Sequence, residues 1–580
     1  DKNTSAELRS GSIVGCTSDK GGGVIVTTGA SFVLGDGSSP ARIIGCTVSN
    51  DSTLMGGGVY VTANTSGDAS FTMNPGAEIR SCTVVSDSYR SWNCGGGVFI
   101  QDGIFTMNGG TITDCHIAER DATTRYGGGV YLTNSATMHV NGGEITGCTA
   151  DQGGAAYNDG GTIQADTNAK GTTFSGAVYN NGTISGGSFT GDVTNREVAT
   201  ISGGTFTGAV TNEASFGYDS RGDTYLCQGK ITGGTFEVAV TNNGAVIESG
   251  TFTGTVINKK ALGQDGNTLE GNDKKPALGL ISGGTFEGPV TNDPGCTISG
   301  GTFNDTVTSE GYIENGTYNG DVTNNQSGGI TGGIFNNGVV TNHEYIANGI
   351  FNGDVINNGV LADGTYKGKV TNNGQINGGT FSGAITGTGT IATNAVKLSV
   401  SFDPNGGSGS MDPVTVDYGA TYLFPENGFT APEGKRFAHW AIDSLDGDTT
   451  AVPGGGLTIL RGTTAYAVWE DIPASTGGGG GGGRTSYSVS TGKTGNGTLT
   501  EVYMDDDNNV TIVIINTYLA KATADYNTKK ETLSIEAVET NEAGALAAPL
   551  GTTIDNDDVN VENFKEDDYI LVTYSYDTDS

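Results

Sequence analysis

Self-similarity governs what this chain can fold into. From residue 11 to about 394, short segments recur at two periods, and a fixed period marks stacked repeats rather than a single globule. In the first register, GGGV-type segments begin at Gly21, Gly56, Gly95 and Gly127, with a degenerate GGAAY at Gly153. The first four lead into alternating strands (VIVT, VYVT, VFIQ, VYLT); a second strand follows, then a third ending in a cysteine dipeptide. Those cysteines are Cys16, Cys46, Cys82, Cys115 and Cys148, spaced by 30, 36, 33 and 33 residues. Three short strands per unit describe one turn of a three-sided coil.

From about residue 172 the unit shrinks to ISGGTFTGAVTNNG. Its aromatic recurs at Phe174, Phe189, Phe206, Phe236, Phe252, Phe286, Phe303, Tyr318, Phe335, Phe351, Tyr366 and Phe381, mostly 15 to 17 residues apart. Two wider gaps hold polar inserts, residues 213–230 and 259–279, which are expected to bud from the coil as loops. Within one unit Ile201, Phe206 and Val210 are 5 and 4 residues apart with glycine between them. A helix would need apolar spacings of 3 and 4 over a longer, glycine-free stretch. Glycine and asparagine instead suit the positive φ of sharp corners.

One such turn cannot bury its three apolar teeth alone, whereas stacking on like turns about 4.8 Å away buries them all. The expected result is a set of ladders. One is aromatic; another is built from the VTN asparagines Asn195, Asn212, Asn242, Asn292, Asn324, Asn342 and Asn372, whose amides bond along the stack. About 17 coils at that rise give a rod on the order of 80 Å long.

Composition supports a folded repeat and removes several functions. Glycine supplies 99 of 580 residues without a Gly-X-Y period, so the chain is not collagen. With 22 Tyr and 20 Phe it is too aromatic for general disorder. The net charge of −35 argues against nucleic acid and against anionic membrane surfaces. No apolar run is long enough to span a bilayer as a helix. The first residues carry no charged-then-apolar leader, and the chain is expected to be an internal piece of a longer protein.

Three resemblances follow from particular residues. GGGVYV, a second strand, NGG and a cysteine dipeptide together resemble the β-helix repeats of bacterial adhesins, including chlamydial polymorphic membrane proteins and surface proteins of gut Gram-positive bacteria. Residues 396–472 resemble the Listeria–Bacteroides repeat, the internalin B-repeat type of module. The matching residues are Phe402, Asn405-Gly406-Gly407, Val416 with Gly419, Pro432-Glu433-Gly434, Phe437, Trp440 and the closing Tyr466-Ala467-Val468-Trp469. That resemblance implies a small β-grasp-like spacer on bacterial surface proteins. Phe402, Phe437, Trp440, Tyr466 and Trp469 are its expected core. After a Gly-rich linker at 473–499, residues 500–580 alternate again. VTIVIINTYLAKAT there resembles segments of cell-wall and S-layer-associated clostridial proteins.

The expected architecture is therefore all-β. A right-handed parallel β-helix of long coils (1–171) passes into a short-coil solenoid (172–395). A β-grasp-like module (396–472), the linker and a small C-terminal β domain (500–580) follow.

Candidate chemistry is sparse. One cysteine per coil lacks the clustered spacing of a zinc site, and the ladder is expected to be inert and buried. Cys94, Cys227 and Cys296 fall outside it, with a Cys227–Cys296 bridge as an open pairing. The histidines His116, His139, His343 and His439 match no nucleophile motif; His116 is expected to face outward. Asp505-Asp506-Asp507-Asn508-Asn509 and Asp555-Asn556-Asp557-Asp558 raise Ca²⁺, yet neither has the EF-loop pattern, and solvated turns fit them better. No cofactor is expected. Threonine rows such as Thr205/Thr207 and Thr251/Thr253 raise ice binding, but Glu237, Glu287 and Asn304 interrupt them.

Parallel β-helices also house polysaccharide lyases and hydrolases. Those need paired carboxylates and a cleft, whereas here the acids fall singly on regular coils. The expectation is a non-catalytic, secreted, cell-surface adhesin-like stalk whose partner is a host or microbial glycan or protein.

Overall fold

The computed structural model describes residues 4–472 except 51–53, 65–67, 87–92, 119–123, 167–170, 219–223, 263–275, 393–394 and 448. Beyond 472 it describes strands Ser488–Gly492, Gly497–Met504, Asn509–Asn516, Lys521–Asn527, Thr532–Val538 and Tyr569–Ser575. Among the described residues there is no helix: the chain is all-β, wound as a parallel β-solenoid.

In the short coils each turn contributes three strands, seen in Thr297–Ile298, Thr302–Phe303 and Val307–Ser309. Each pairs in register with its counterpart one coil on: Ile298 with Ile313, Phe303 with Tyr318, Val307 with Val322. Inward residues are isoleucine, phenylalanine and valine because each removes apolar surface from water only when its twin lies above and below. Every phenylalanine or tyrosine of this file from Phe174 to Phe381 is buried. Their rings stack at 4.6–4.8 Å. Between the isoleucine and phenylalanine strands the backbone turns through positive φ, as at Gly301 (φ 117), where a Cβ would also press on the Phe286 and Phe303 rings at 3.2 Å.

The long coils carry more inward positions and more varied occupants. Phe32, Phe71, Phe105 and Met138 share one file; Leu34, Met73, Met107 and Val140 share another. The GGG motif has a packing cause. A Cβ on Gly96 would lie 2.4 Å from the Gly128 carbonyl and 2.8 Å from the His116 amide, and one on Gly97 would lie 3.3 Å from Cys115 Sγ. Glycine triplets and cysteine dipeptides therefore recur together because one backbone lies directly against the other.

Three further features lie outside the repeat pattern. The insert expected as a loop at 213–230 is a hairpin: Val210–Tyr218 runs on from the coil and pairs antiparallel with Thr224–Gln228. At the other end, Val396–Asp403 pairs in parallel with Gly379–Phe381, so the sheet of the solenoid runs directly into the segment after it. That strand is flanked by Val414–Asp417 and Thr463–Asp471, and the latter pairs with Lys435–Ile442. In the first coil, Thr4–Leu8 and Gly11–Val14 pair on one side only, with Ala30–Leu34 and Ala41–Ile44, and are largely exposed.

Candidate functional surface

The interior offers structure rather than chemistry. Cys46, Cys82, Cys115 and Cys148 are buried in one file, and their thiols donate to carbonyls two residues back, as from Cys115 to Thr113 at 3.4 Å. The expectation of a buried ladder is not met at Cys16, which is exposed. Hydrogen bonding among Cys148, Cys82 and Cys115, together with burial, pushes the Cys115 thiol well up. Within the same file the hydrogen bond with Cys115 holds Cys82 and Cys148 down, so the stacked thiols shift in alternate directions. Burial, with a smaller push from Asp159, raises Cys94; burial, with Asp293 adding to it, takes Cys296 up to about 11. All eight cysteines are free, so Cys227 and Cys296 are not bridged.

The asparagine ladder is continuous where the motif repeats. Each Nδ2 donates to the next Oδ1: Asn195 to Asn212 at 2.7 Å, Asn212 to Asn242 at 2.8 Å, Asn342 to Asn357 at 2.8 Å, Asn357 to Asn372 at 2.7 Å. Spare hydrogens go to corner carbonyls, as from Asn242 to Ala245 at 2.8 Å. Four rungs escape the VTN pattern: Asn158, Asn180, Asn258 and Asn357, which follow Tyr or Ile rather than Thr. Ser309 replaces one rung; it accepts from Asn292 at 3.0 Å and donates to the Gly311 carbonyl at 3.0 Å. Asn324 Oδ1 above it is consequently left without a donor, as is Asn158 Oδ1 above Leu132.

Several aspartates of the rod are bound into its corners. Asp321 accepts the Val339 amide at 2.7 Å and Asp354 the Lys369 amide at 2.9 Å, each one coil on. Asp192 accepts from Ala209 at 3.2 Å in the same way. Glu287 accepts from Asn304, which begins a second, outer amide ladder through Asn319, Asn336 and Asn352.

Among the histidines, His139 pairs with Asp166 at 2.7 Å, and Asn141 also donates to that carboxylate. These two bonds hold Asp166 below the usual carboxylate range. The other ring nitrogen of His139 meets Gln164 at 3.5 Å rather than a nucleophile. His116 is half-buried, not freely outward, with ring nitrogens toward Thr83 at 3.5 Å and the Asp114 carbonyl at 3.4 Å. Among the described residues no group of three or more His, Cys, Asp and Glu converges as a metal site would. The acidic runs at 505–508 and 555–558 lie outside the described residues.

In residues 396–472, Trp440 is fully buried and donates to the Pro425 carbonyl at 3.0 Å. Phe402 and Phe437 pack on it with ring centroids at 5.3 and 4.9 Å. Trp469 reaches Phe437 and donates to the Pro404 carbonyl at 2.8 Å. Tyr466 departs from the expected core: Ala465 and Ala467 on either side of it are the buried residues of that strand, and Tyr466 alternates to the opposite side.

What remains is the outer surface. The outward position of the phenylalanine strand is mostly threonine (Thr205, Thr235, Thr251, Thr285, Thr302, Thr317, Thr365, Thr380) but becomes Ile334 and Ile350 in two consecutive coils. In the same coils the outward file of the isoleucine strand reads Tyr312, Gly329, Tyr345, Val360. Tyr312, Ile334, Tyr345 and Ile350 are 40–48% exposed, so large apolar groups meet water there. No protein-family model, curated protein or solved structure matches the chain.

Proposed function

We propose that this chain is a non-catalytic stalk from a secreted, cell-surface adhesin-like bacterial protein, of the gut Gram-positive type, that extends and binds a host or microbial glycan or protein. The supporting observation is the unbroken stacking itself. Inward positions are taken by ladders that satisfy one another, and several aspartates of the rod are bonded to its corners. A right-handed coil, a Listeria–Bacteroides-type module at 396–472 and a small β domain over 500–580 complete the proposed layout. An acidic surface keeps so long a β-stack soluble by self-repulsion.

The rival is a polysaccharide lyase or hydrolase on a parallel β-helix. Incubation with pectin, alginate and glycosaminoglycans separates the two. The stalk predicts no unsaturated or reducing sugars and an elongated particle in small-angle scattering; sugar release would overturn it.

A further inference from the structure

Uncompensated charge and exposed apolar surface coincide in one stretch of the short coils. Between Lys275 and Lys367 the sequence holds no lysine or arginine, yet nine aspartates and glutamates fall there. Elsewhere acids find basic partners: Glu78 pairs with Arg42, Glu248 with Lys230 and Glu470 with Arg436. Residues 276–366 have no lysine or arginine of their own to do this. Some of their carboxylates are occupied by the fold, Asp321 and Asp354 by backbone amides and Glu287 by Asn304. Those of Glu310, Glu314 and Glu344 are exposed and have no bonding partner among the described residues.

Large apolar side chains meet water in the same coils. Tyr312, Ile334, Tyr345 and Ile350 are 40–48% exposed. Strand pairing sets Ile334 beside Ile350, and Tyr312 and Tyr345 one coil either side of Gly329. The Tyr312 ring covers that buried glycine, whose Cβ would lie 3.6 and 3.8 Å from its Cδ1 and Cε1. The coil itself does not need these side chains. Threonine takes the place of Ile334 and Ile350 at Thr302, Thr317, Thr365 and Thr380, and the place of Tyr312 at Thr297. Carboxylates edge both files. Glu310 lies two residues before Tyr312, Glu344 adjoins Tyr345, and Glu314 stands between Tyr312 and Thr317, the residue one coil before Ile334.

We propose that this face docks a cationic amphipathic peptide segment of a partner protein. Its lysine or arginine side chains meet Glu310, Glu314 and Glu344, and its apolar side chains cover the tyrosines and isoleucines. The proposal rests on the protein-binding half of the function above and names the partner's chemistry. An exposed apolar patch with a charged rim marks an interaction surface, and the sign of the rim selects the partner. Only a partner of opposite sign relieves the repulsion among carboxylates that lack cations of their own. A neutral glycan would cover the rings and leave that charge uncompensated.

The test uses the full chain and a synthetic amphipathic peptide of leucine and lysine. An all-lysine peptide, a leucine–glutamate peptide, neutral oligosaccharides and host matrix proteins are run alongside. The leucine–lysine peptide should bind best, and more weakly as salt screens the charges. Ile334→Thr with Ile350→Thr copies the neighbouring coils; Glu310→Gln, Glu314→Gln and Glu344→Gln together remove the rim charge. Each set should weaken peptide binding about ten-fold or more while circular dichroism stays unchanged. Equal binding of the all-lysine peptide, or binding undiminished in either set, reduces the effect to net charge and overturns the docking face. Oligosaccharide or matrix-protein binding without leucine–lysine peptide binding overturns the cationic partner and leaves the stalk function standing. If the unmodified chain binds none of these, the docking face and the binding half of the stalk function both fall.

Discussion

The long coils and the short coils solve the same problem with different redundancy. In the long coils, files change occupant from turn to turn: Phe105 gives way to Met138, Met107 to Val140 and Leu132 to Asn158. Each turn is closed by a local device, the glycine triplet laid against a cysteine dipeptide. The short coils keep almost one residue per file and close with an asparagine that bonds to its twin. Heterogeneous packing tolerates volume-conserving exchange, whereas a homopolymeric ladder transmits a defect to both neighbours. The switch occurs where Asn158 lies over Leu132, and the unmatched Asn158 Oδ1 is the trace of that change.

The largest test of this contrast is Phe303→Asp. Phe303 is fully buried between Phe286 and Tyr318, at ring distances of 4.7 and 4.8 Å. An unpaired carboxylate there costs several kcal/mol beyond the lost ring. Limited proteolysis should show cleavage spreading into coils on both sides. Met107→Leu at the matching level of a long coil should cost less than about 1.5 kcal/mol. Equal protection of the two variants would contradict the inward ladder.

Next comes Asn242→Leu. Asn242 accepts from Asn212 at 2.8 Å and donates to Asn258 at 2.7 Å. An isosteric apolar residue leaves a donor below and an acceptor above unmatched, each costing about 1–3 kcal/mol. Hydrogen exchange in coils 212–258 should rise by at least ten-fold; no change would assign stability to the aromatic stack alone.

How far the sequence disclosed all this depended on repetition. The phenylalanine file was readable because its aromatic recurs at an almost constant interval with glycine before it. Asn158, Asn180, Asn258 and Asn357 were not, because AYN, VYN and VIN differ from VTN at the outward residue, which the buried ladder does not constrain. The pairing of Val396–Asp403 with Gly379–Phe381 had no signature, since strand addition to a sheet uses backbone groups. Tyr466 was misassigned because strand alternation, not aromaticity, decides which side of a sheet a residue faces.

Alkaline pH separates the buried thiols from the buried tyrosines. Burial raises the thiols of Cys94 in the long coils and Cys296 in the short coils, while the stacked thiols shift in alternate directions, Cys46 and Cys115 up and Cys82 and Cys148 down. Tyr318 and Tyr366 in the short coils are raised by burial. A raised native value means the fold favours the neutral group. That contribution is complete below the unfolded value and is lost as pH climbs toward the native one. For thiols the loss begins near about pH 8.5 and for tyrosines near about pH 10. Pulse proteolysis between these values should open the coils around Cys94 and Cys296 before the turns around Tyr318 and Tyr366. Cleavage appearing first among the short-coil tyrosine turns would reverse the assignment.

The smallest effect is the most diagnostic of the ladder. Ser309 interrupts it and leaves Asn324 Oδ1 without a donor in a buried setting. Ser309→Asn would place an amide between Asn292 and Asn324, which already point along the same file. Restoring one buried hydrogen bond is worth about 1 kcal/mol, and the added atoms enter a position that neighbouring coils already accommodate. Slower hydrogen exchange in residues 292–342 is therefore expected, with the aromatic file unaltered. Faster exchange would mean that the serine relieves crowding, and that the amide ladder sets register without adding stability.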